Sequence, residues 1–108
     1  MTSSPPDDPA ALFAALGDQV RLSLIDQLQR GGGASIAELS AGRPLSRQAV
    51  TKHLRLLEKA GLVRPARSGR EVRFRLEAAR LAEAQRFLDR IARQWEESLA
   101  RLAAHAGD

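Results

Sequence analysis

Arg47, Gln48, Thr51 and Lys52 bring together the groups that read a nucleic acid, with Arg55 and Lys59 one and two turns further along the chain. Arg suits guanine and Gln suits adenine when geometry permits a bidentate pair, and the cations attract phosphate. At about 100° per residue these six side chains fall within one arc of about 140° of a helix. Leu56, Ala49, Ala60, Leu57, Val50 and Leu54 fill the opposite side. Ser46 is a good N-cap and Gly61 follows Ala60 where a left-handed stop belongs, so the helix is expected from about Arg47 to Ala60. An ordinary surface helix with a solvated charged face would look the same on the wheel, so the flanking elements decide.

Upstream, SIAELSA over residues 35–41 reads as a short helix, with Ser35 as cap and Glu38 at the capping-box spacing. A brief turn through Gly42, Arg43, Pro44 and Leu45 leads into the longer helix, and the three pieces form a helix-turn-helix, whose second helix enters the major groove by its N-terminal residues. Downstream, Val72, Phe74 and Leu76 alternate with Glu71, Arg73, Arg75 and Glu77, the period of a half-buried strand. Ser68-Gly69 is the expected hairpin tip, flanked by Arg67 and Arg70, and Pro65 suits an edge strand. A two-stranded ribbon with an arginine-rich tip after a reading helix is a wing; a plain exposed hairpin whose arginines serve solubility is the weaker reading.

The remaining frame is helical. Residues 1–7 read as a disordered N-terminal tail, and 8–108 as a single winged helix-turn-helix domain. A first helix from Asp8 or Pro9 to Leu16 sets Leu12, Phe13 and Leu16 on one face. Asp18 caps a second helix to about Arg30, with Val20, Leu24, Ile25 and Leu28 as its core stripe. Gly31-Gly32-Gly33 ends that helix, forms a flexible connector and lacks the Lys-Ser/Thr ending of a phosphate-binding loop. From about 78 to 104 one long helix repeats Leu81, Leu88, Trp95 and Leu102 every seven residues, widened by Phe87, Ile91 and Leu99. That repeat suits packing on a partner helix, the alternative being a fold back within one subunit. The fold class is therefore mainly α with a small β-hairpin wing, in the order α-α-α-α-β-β-α.

The run SRQAVTKHLRLLEKAGLV, followed by a basic SGRE hairpin and preceded by ALGDQVRLSLIDQL, resembles the ArsR/SmtB family of winged-helix bacterial transcriptional repressors. The resemblance covers roughly Leu12 to Leu76, together with the final helix. It implies a homodimer, joined through the first and last helices, that binds an imperfect palindrome in double-stranded DNA. It also implies that Arg47, Gln48, Thr51 and Lys52 stand where base edges or phosphates are commonly met. Two reading helices about 34–36 Å apart would reach successive major grooves on one side of a duplex. On this reading Ser46 belongs to the DNA-facing set, Arg43 and Arg55 contact backbone, and Arg67, Ser68, Gly69 and Arg70 sit at the adjacent minor groove or phosphates. The dimer interface would comprise Leu12, Phe13, Leu16, Leu81, Leu88, Ile91, Trp95, Leu99 and Leu102.

Many members of that family sense metals through cysteines, or through Asp and His pairs on the last helix. This chain has no cysteine, and Ile91 stands where the first such His would follow Asp89. Asp89 and His105 do not supply four ligands, so no metal and no cofactor is expected. His53 falls by helical phase among Leu57, Val50 and Ala49 and reads as a packed structural histidine. No nucleophile-activating motif, paired carboxylate or nucleotide signature is present, so the chain is not expected to be an enzyme.

Charge placement agrees. Between Arg43 and Arg80 there are eleven Arg or Lys against three Glu, a net +8, while the rest of the chain sums to −4. A basic middle segment points to a polyanion, and phosphate contacts would make affinity salt-dependent. No apolar run is long enough to span a membrane, and the opening residues resemble no secretory signal, so a cytoplasmic protein is expected. The alternative is a winged-helix protein-interaction module that offers its basic face to an acidic partner. Gln48 and Thr51 among the cations favour groove reading. The effector stays open at this level, as does repression against activation, and the apolar set near Phe13 and Trp95 reads as interface rather than ligand pocket.

Overall fold

The computed structural model describes residues 9–107, so the tail expected over residues 1–7 lies outside the described residues. The elements are α1 (Pro9–Leu16), α2 (Gln19–Gly31), β1 (Ala34–Ser35), α3 (Ile36–Ser40), α4 (Arg47–Lys59), β2 (Val63–Ser68), β3 (Glu71–Leu76) and α5 (Ala78–Ala106). This is a winged helix-turn-helix, mainly helical with a small antiparallel sheet.

The helix ends follow local chemistry. Pro9 opens α1, where its missing N–H would have had no partner. Asp18 caps α2 by accepting from the Arg21 backbone N–H at 3.0 Å. Ser35 and Glu38 form the full capping box of α3: the Glu38 N–H donates to Ser35 Oγ at 3.1 Å, and the Ser35 N–H donates to Glu38 Oε1 at 2.9 Å. Ser46 caps α4 through the Ala49 N–H at 3.0 Å. At the other end of α4, the Gly61 N–H reaches Glu58 O and the Leu62 N–H reaches Leu57 O, both at 2.9 Å, with Gly61 at φ 82°. This is a Schellman closure, and its apolar partners Leu57 and Leu62 are both fully buried.

Two expectations need correction. The wing is not a two-stranded ribbon alone: β1 adds a third strand in the order β1-β3-β2, with Ala34 opposite Phe74 and Ser35 opposite Arg73. Two residues between glycines and a helix are too short to show a strand period, so the sequence offers no sign of β1. The hairpin tip is Gly69-Arg70 rather than Ser68-Gly69, because Ser68 pairs with Glu71 inside the ladder. Gly69 at φ 66° supplies the left-handed first position of a two-residue loop. The glycine run ends α2, as its sequence suggests. Gly31 ends α2, Gly32 at φ 74° returns its N–H to Leu28 O, and Gly33 at φ 136° passes so close to β3 that a Cβ would lie 3.4 Å from Phe74 O. Pro65 lies in β2, an edge strand, where its missing donor costs no ladder bond.

One core joins these elements. Leu12, Leu24, Leu28, Leu39, Val50, Leu54, Leu57 and Leu62 are fully buried, with Phe74 closing the sheet side. Only the first turns of α5 share in it, through Ala84, the partly buried Leu81 and Phe87, whose ring lies 5.4 Å from that of Phe13. Beyond Phe87 the helix leaves the core, and Leu88, Ile91, Trp95, Leu99 and Leu102 are 47–66% exposed. The fold back within one subunit is not what the chain does. Leu12, expected at a dimer interface, is fully buried inside its own protomer.

Charge also holds the sheet to α3. Arg73 donates to Gly33 O at 3.0 Å and pairs with Glu38 and Glu71, each at 3.2 Å. Glu38 is held below its ordinary carboxylate value, first by the Ser35 N–H and then by the Arg73 charge; Asp18 is lowered chiefly by the Arg21 N–H. The ionised forms are the ones bound, so the stability they add is present above the ordinary values of 4.5 and 3.8 and is lost as pH falls through the lower folded values. Thermal melts of Glu38→Gln against wild type should therefore show a deficit near neutrality that closes below about pH 4. A deficit independent of pH would contradict the assignment.

Candidate nucleic-acid interface

The reading face is set by how α4 is fixed. Val50, Leu54 and Leu57 are fully buried, which turns Arg47, Gln48, Lys52, Arg55 and Lys59 outward. Leu56 departs from the wheel: grouped with the dry side, it is 43% exposed and borders the basic face beside Lys52 and Lys59.

Among the described residues Arg47, Gln48 and Lys52 make no side-chain hydrogen bond or ion pair, so their donors are available to a ligand. Thr51 is half-buried and donates its hydroxyl to Arg47 O at 2.7 Å, leaving the oxygen as an acceptor. Ser46 is exposed, with its hydroxyl engaged as the cap. Arg55 is 71% exposed and stands 3.7 Å from Glu58, a contact too long and too solvated to hold it. At the wing Arg67, Ser68, Gly69 and Arg70 are all exposed, and neither arginine has a carboxylate partner among the described residues. Helix and wing thus present two separate groups of free cations.

Arg43 does not join them. Its guanidinium donates to Leu39 O at 2.6 Å, Ser23 Oγ at 2.8 Å and Gln27 Oε1 at 2.7 Å, tying the helix-turn-helix turn to α2 and α3. The expectation that Arg43 contacts a DNA backbone is corrected to this role. Its position one turn before the reading helix could not reveal the difference, because two of its three partners lie 16 and 20 residues away.

Arg80 is the residue that sequence reasoning missed. Counted with the basic segment, it is 6% exposed: its Nε donates to Ala60 O at 2.8 Å and its guanidinium pairs with Glu83. It therefore serves the open carbonyl end of α4, where a cation is also favoured by the helix dipole. Gly61 is required by its φ of 82° rather than by space, since a Cβ there would meet Arg80 Nε at 3.5 Å, an ordinary contact. Arg64 at 2.7 Å from Glu77 and Arg73 are likewise paired within the protein. Because Arg73 and Arg80 pair with Glu38 and Glu83, which lie outside the counted segment, its net +8 overstates the charge offered to a partner.

His53 faces α2, away from the basic arc. Arg21 Nη1 donates to its Nδ1 at 3.3 Å, and Asp18 Oδ2 lies 3.8 Å away. Arg21 also donates to Ala15 O and Ala14 O, so this cluster binds the end of α1 and the start of α2 to α4. Among the described residues no group of His, Cys, Asp and Glu could hold a metal ion, and no helix is long and apolar enough to cross a membrane.

Comparison with known proteins agrees with this geometry. A family profile described as a helix-turn-helix domain matches residues 16–66. The chain is 33% identical to the HTH-type transcriptional regulator Rv2034 of Mycobacterium tuberculosis over 103 residues, covering 93% of this chain and 92% of that one. It is 34% identical to the HTH-type transcriptional repressor SmtB of the same organism over 86% of this chain and 67% of the relative. An ArsR-like transcriptional regulator from Rhodococcus sp. RHA1 superposes with a TM-score of 0.77 at 39% identity, covering 87% and 88% of the two chains.

Arg43→Gln should lower stability by about 1–2 kcal/mol in chemical denaturation, since at least one of its acceptors loses a charged donor. The salt dependence of DNA binding should not change. A reduced salt slope at unchanged stability would restore Arg43 to the DNA-facing set.

Proposed function

The chain belongs to the ArsR/SmtB family of winged helix-turn-helix transcriptional regulators, DNA-binding proteins rather than enzymes, and from that premise we propose how this repressor engages its operator. It acts as a homodimer on a palindromic site. In each half-site Arg47, Gln48, Thr51 and Lys52 enter the major groove, Ser46 and Arg55 lie against the backbone, and Arg67, Ser68, Gly69 and Arg70 reach the neighbouring minor groove or phosphates. The observation that carries this reading is the set Arg47, Gln48 and Lys52, without side-chain partners among the described residues, on a helix whose opposite side buries Val50, Leu54 and Leu57. A buried back face and two closed ends keep these donors in place before DNA arrives, so little ordering is needed on binding.

The exposed stripe from Leu88 to Leu102 is the surface that pairs with a second copy. Its spacing of three and four residues keeps it on one side of α5, as helix-to-helix packing requires. Phe13, Leu16 and Leu81, which are only partly buried, extend the interface toward α1. The repressor works in the cytoplasm by occupying DNA that polymerase needs.

Gel-shift titrations at several salt concentrations separate the two kinds of contact. Gln48→Ala should reduce the preference for operator over unrelated DNA by about 1–3 kcal/mol per half-site, the value of a good bidentate pair. Arg70→Ala should weaken both DNAs alike and lower the salt slope by about one per protomer. Wild-type behaviour from both variants would defeat the assignment. Trp95→Glu should run as a monomer in sedimentation equilibrium and lose operator affinity by at least about tenfold, because the linked second half-site is gone. A dimeric Trp95→Glu would move the interface elsewhere.

A further inference from the structure

An open groove of about 450 Å³ lies where the C-terminal end of α2 meets the outer face of β2 and β3, away from the reading face of α4. Its volume falls within the range of about 300–1,000 Å³ typical of small-molecule sites. Gln29, Ala66 and Leu76 line it, and Arg64, Arg75 and Glu77 supply its charge.

The ladder register puts Arg64 directly opposite Arg75. Like charges facing each other across a strand pair weaken the pairing unless something offsets them. Arg64 has Glu77, at 2.7 Å. Arg75 has no carboxylate and no hydrogen-bond acceptor among the described residues, although its stem is held near Gly33, whose added Cβ would lie 3.5 Å from Arg75 Cγ. The three charged groups therefore leave one positive charge uncompensated, next to an apolar surface.

We infer that this groove is an effector site for a small organic monocarboxylate. The carboxylate takes the planar guanidinium of Arg75, with Arg64 beside it, and the apolar body of the ligand lies on Ala66 and the aliphatic stems of the two arginines, which share one face of the sheet. A net charge of one matches a single carboxylate. A continuous polyanion fits less well, because Glu77 and the carbonyl end of α2 both repel it. β2 and β3 run from this groove to the tip that carries Arg67 and Arg70, so a ligand that clamps the two strands changes how the tip meets DNA. Only that regulatory consequence rests on the proposed DNA-binding mode; the ligand site does not.

The test uses the full-length protein, labelled with nitrogen-15, and titrates sodium benzoate against sodium chloride at constant ionic strength. Saturable shifts concentrated at Arg64, Ala66 and Arg75, absent from Arg75→Gln and weakened in Arg64→Gln, support the site. Operator affinity should change by about fivefold or more on saturation, as allosteric couplings commonly do, in wild type but not in Arg75→Gln. Arg75→Gln without benzoate should bind operator with wild-type affinity and salt slope. Shifts that never saturate, or that spread equally to Arg67 and Arg70, overturn the site. Local binding with unchanged operator affinity overturns the effector role. A salt slope reduced by about one per protomer in Arg75→Gln overturns the inference by making Arg75 a phosphate contact. Failure of wild type to bind any DNA would count against the proposed function and leave the benzoate result standing.

Discussion

The orientation of α4 is the constraint on which the rest depends. A reading helix must keep its polar face in water while its register and tilt stay fixed, and here three independent devices do so. Val50, Leu54 and Leu57 remove its back from solvent, Ser46 closes its start, and the Gly61 Schellman turn with Arg80 closes its end. Each device answers a cost that the helix would otherwise carry: exposed apolar surface, free N–H groups and free carbonyls. With all three answered, rotation of α4 would uncover leucines and break caps together.

The cations divide accordingly. Arg43, Arg73 and Arg80 serve the fold, each by reaching a backbone carbonyl that no helix or strand satisfies: Leu39, Gly33 and Ala60. A guanidinium suits this role because it has several donors in a plane and can serve a carbonyl and a side-chain acceptor at once. Among the described residues Arg47, Lys52, Arg67 and Arg70 have no such partner, and they stand exposed on α4 and at the end of the hairpin. The distinction between them is one of reach, since each structural arginine finds at least one acceptor outside its own element.

α5 joins two tasks in one element of 29 residues, about 43 Å long. Its first turns complete the core and carry Arg80, so the end of α4 and the start of α5 are mechanically one unit. Its remainder extends into solvent and accounts for the elongation of the molecule, 68 × 37 × 21 Å. A small core alone gives a chain of this size little surplus stability, and a second copy covering Trp95, Leu99 and Leu102 would add burial where the protomer provides none.

Much of this was legible in the order of residues. Helix ends are written locally, in a cap residue and its partner three positions on, so Ser35 with Glu38, Ser46 and Gly61 could be recognised without coordinates. The same holds for the polar arc of α4 and the seven-residue repeat of α5, which depend only on helical period. What the amino-acid order could not convey was partnership across distance. Whether Arg43 or Arg80 faced DNA or a carbonyl, whether Leu12 lay at an interface or in the core, and whether two residues at Ala34 became a strand were settled by which elements came to lie side by side. Period and capping are properties of a few neighbouring residues, whereas burial and pairing are properties of the packed whole, so the chain alone determined its helices and hairpin, and the tertiary structure decided the third strand and which charges were left for a partner.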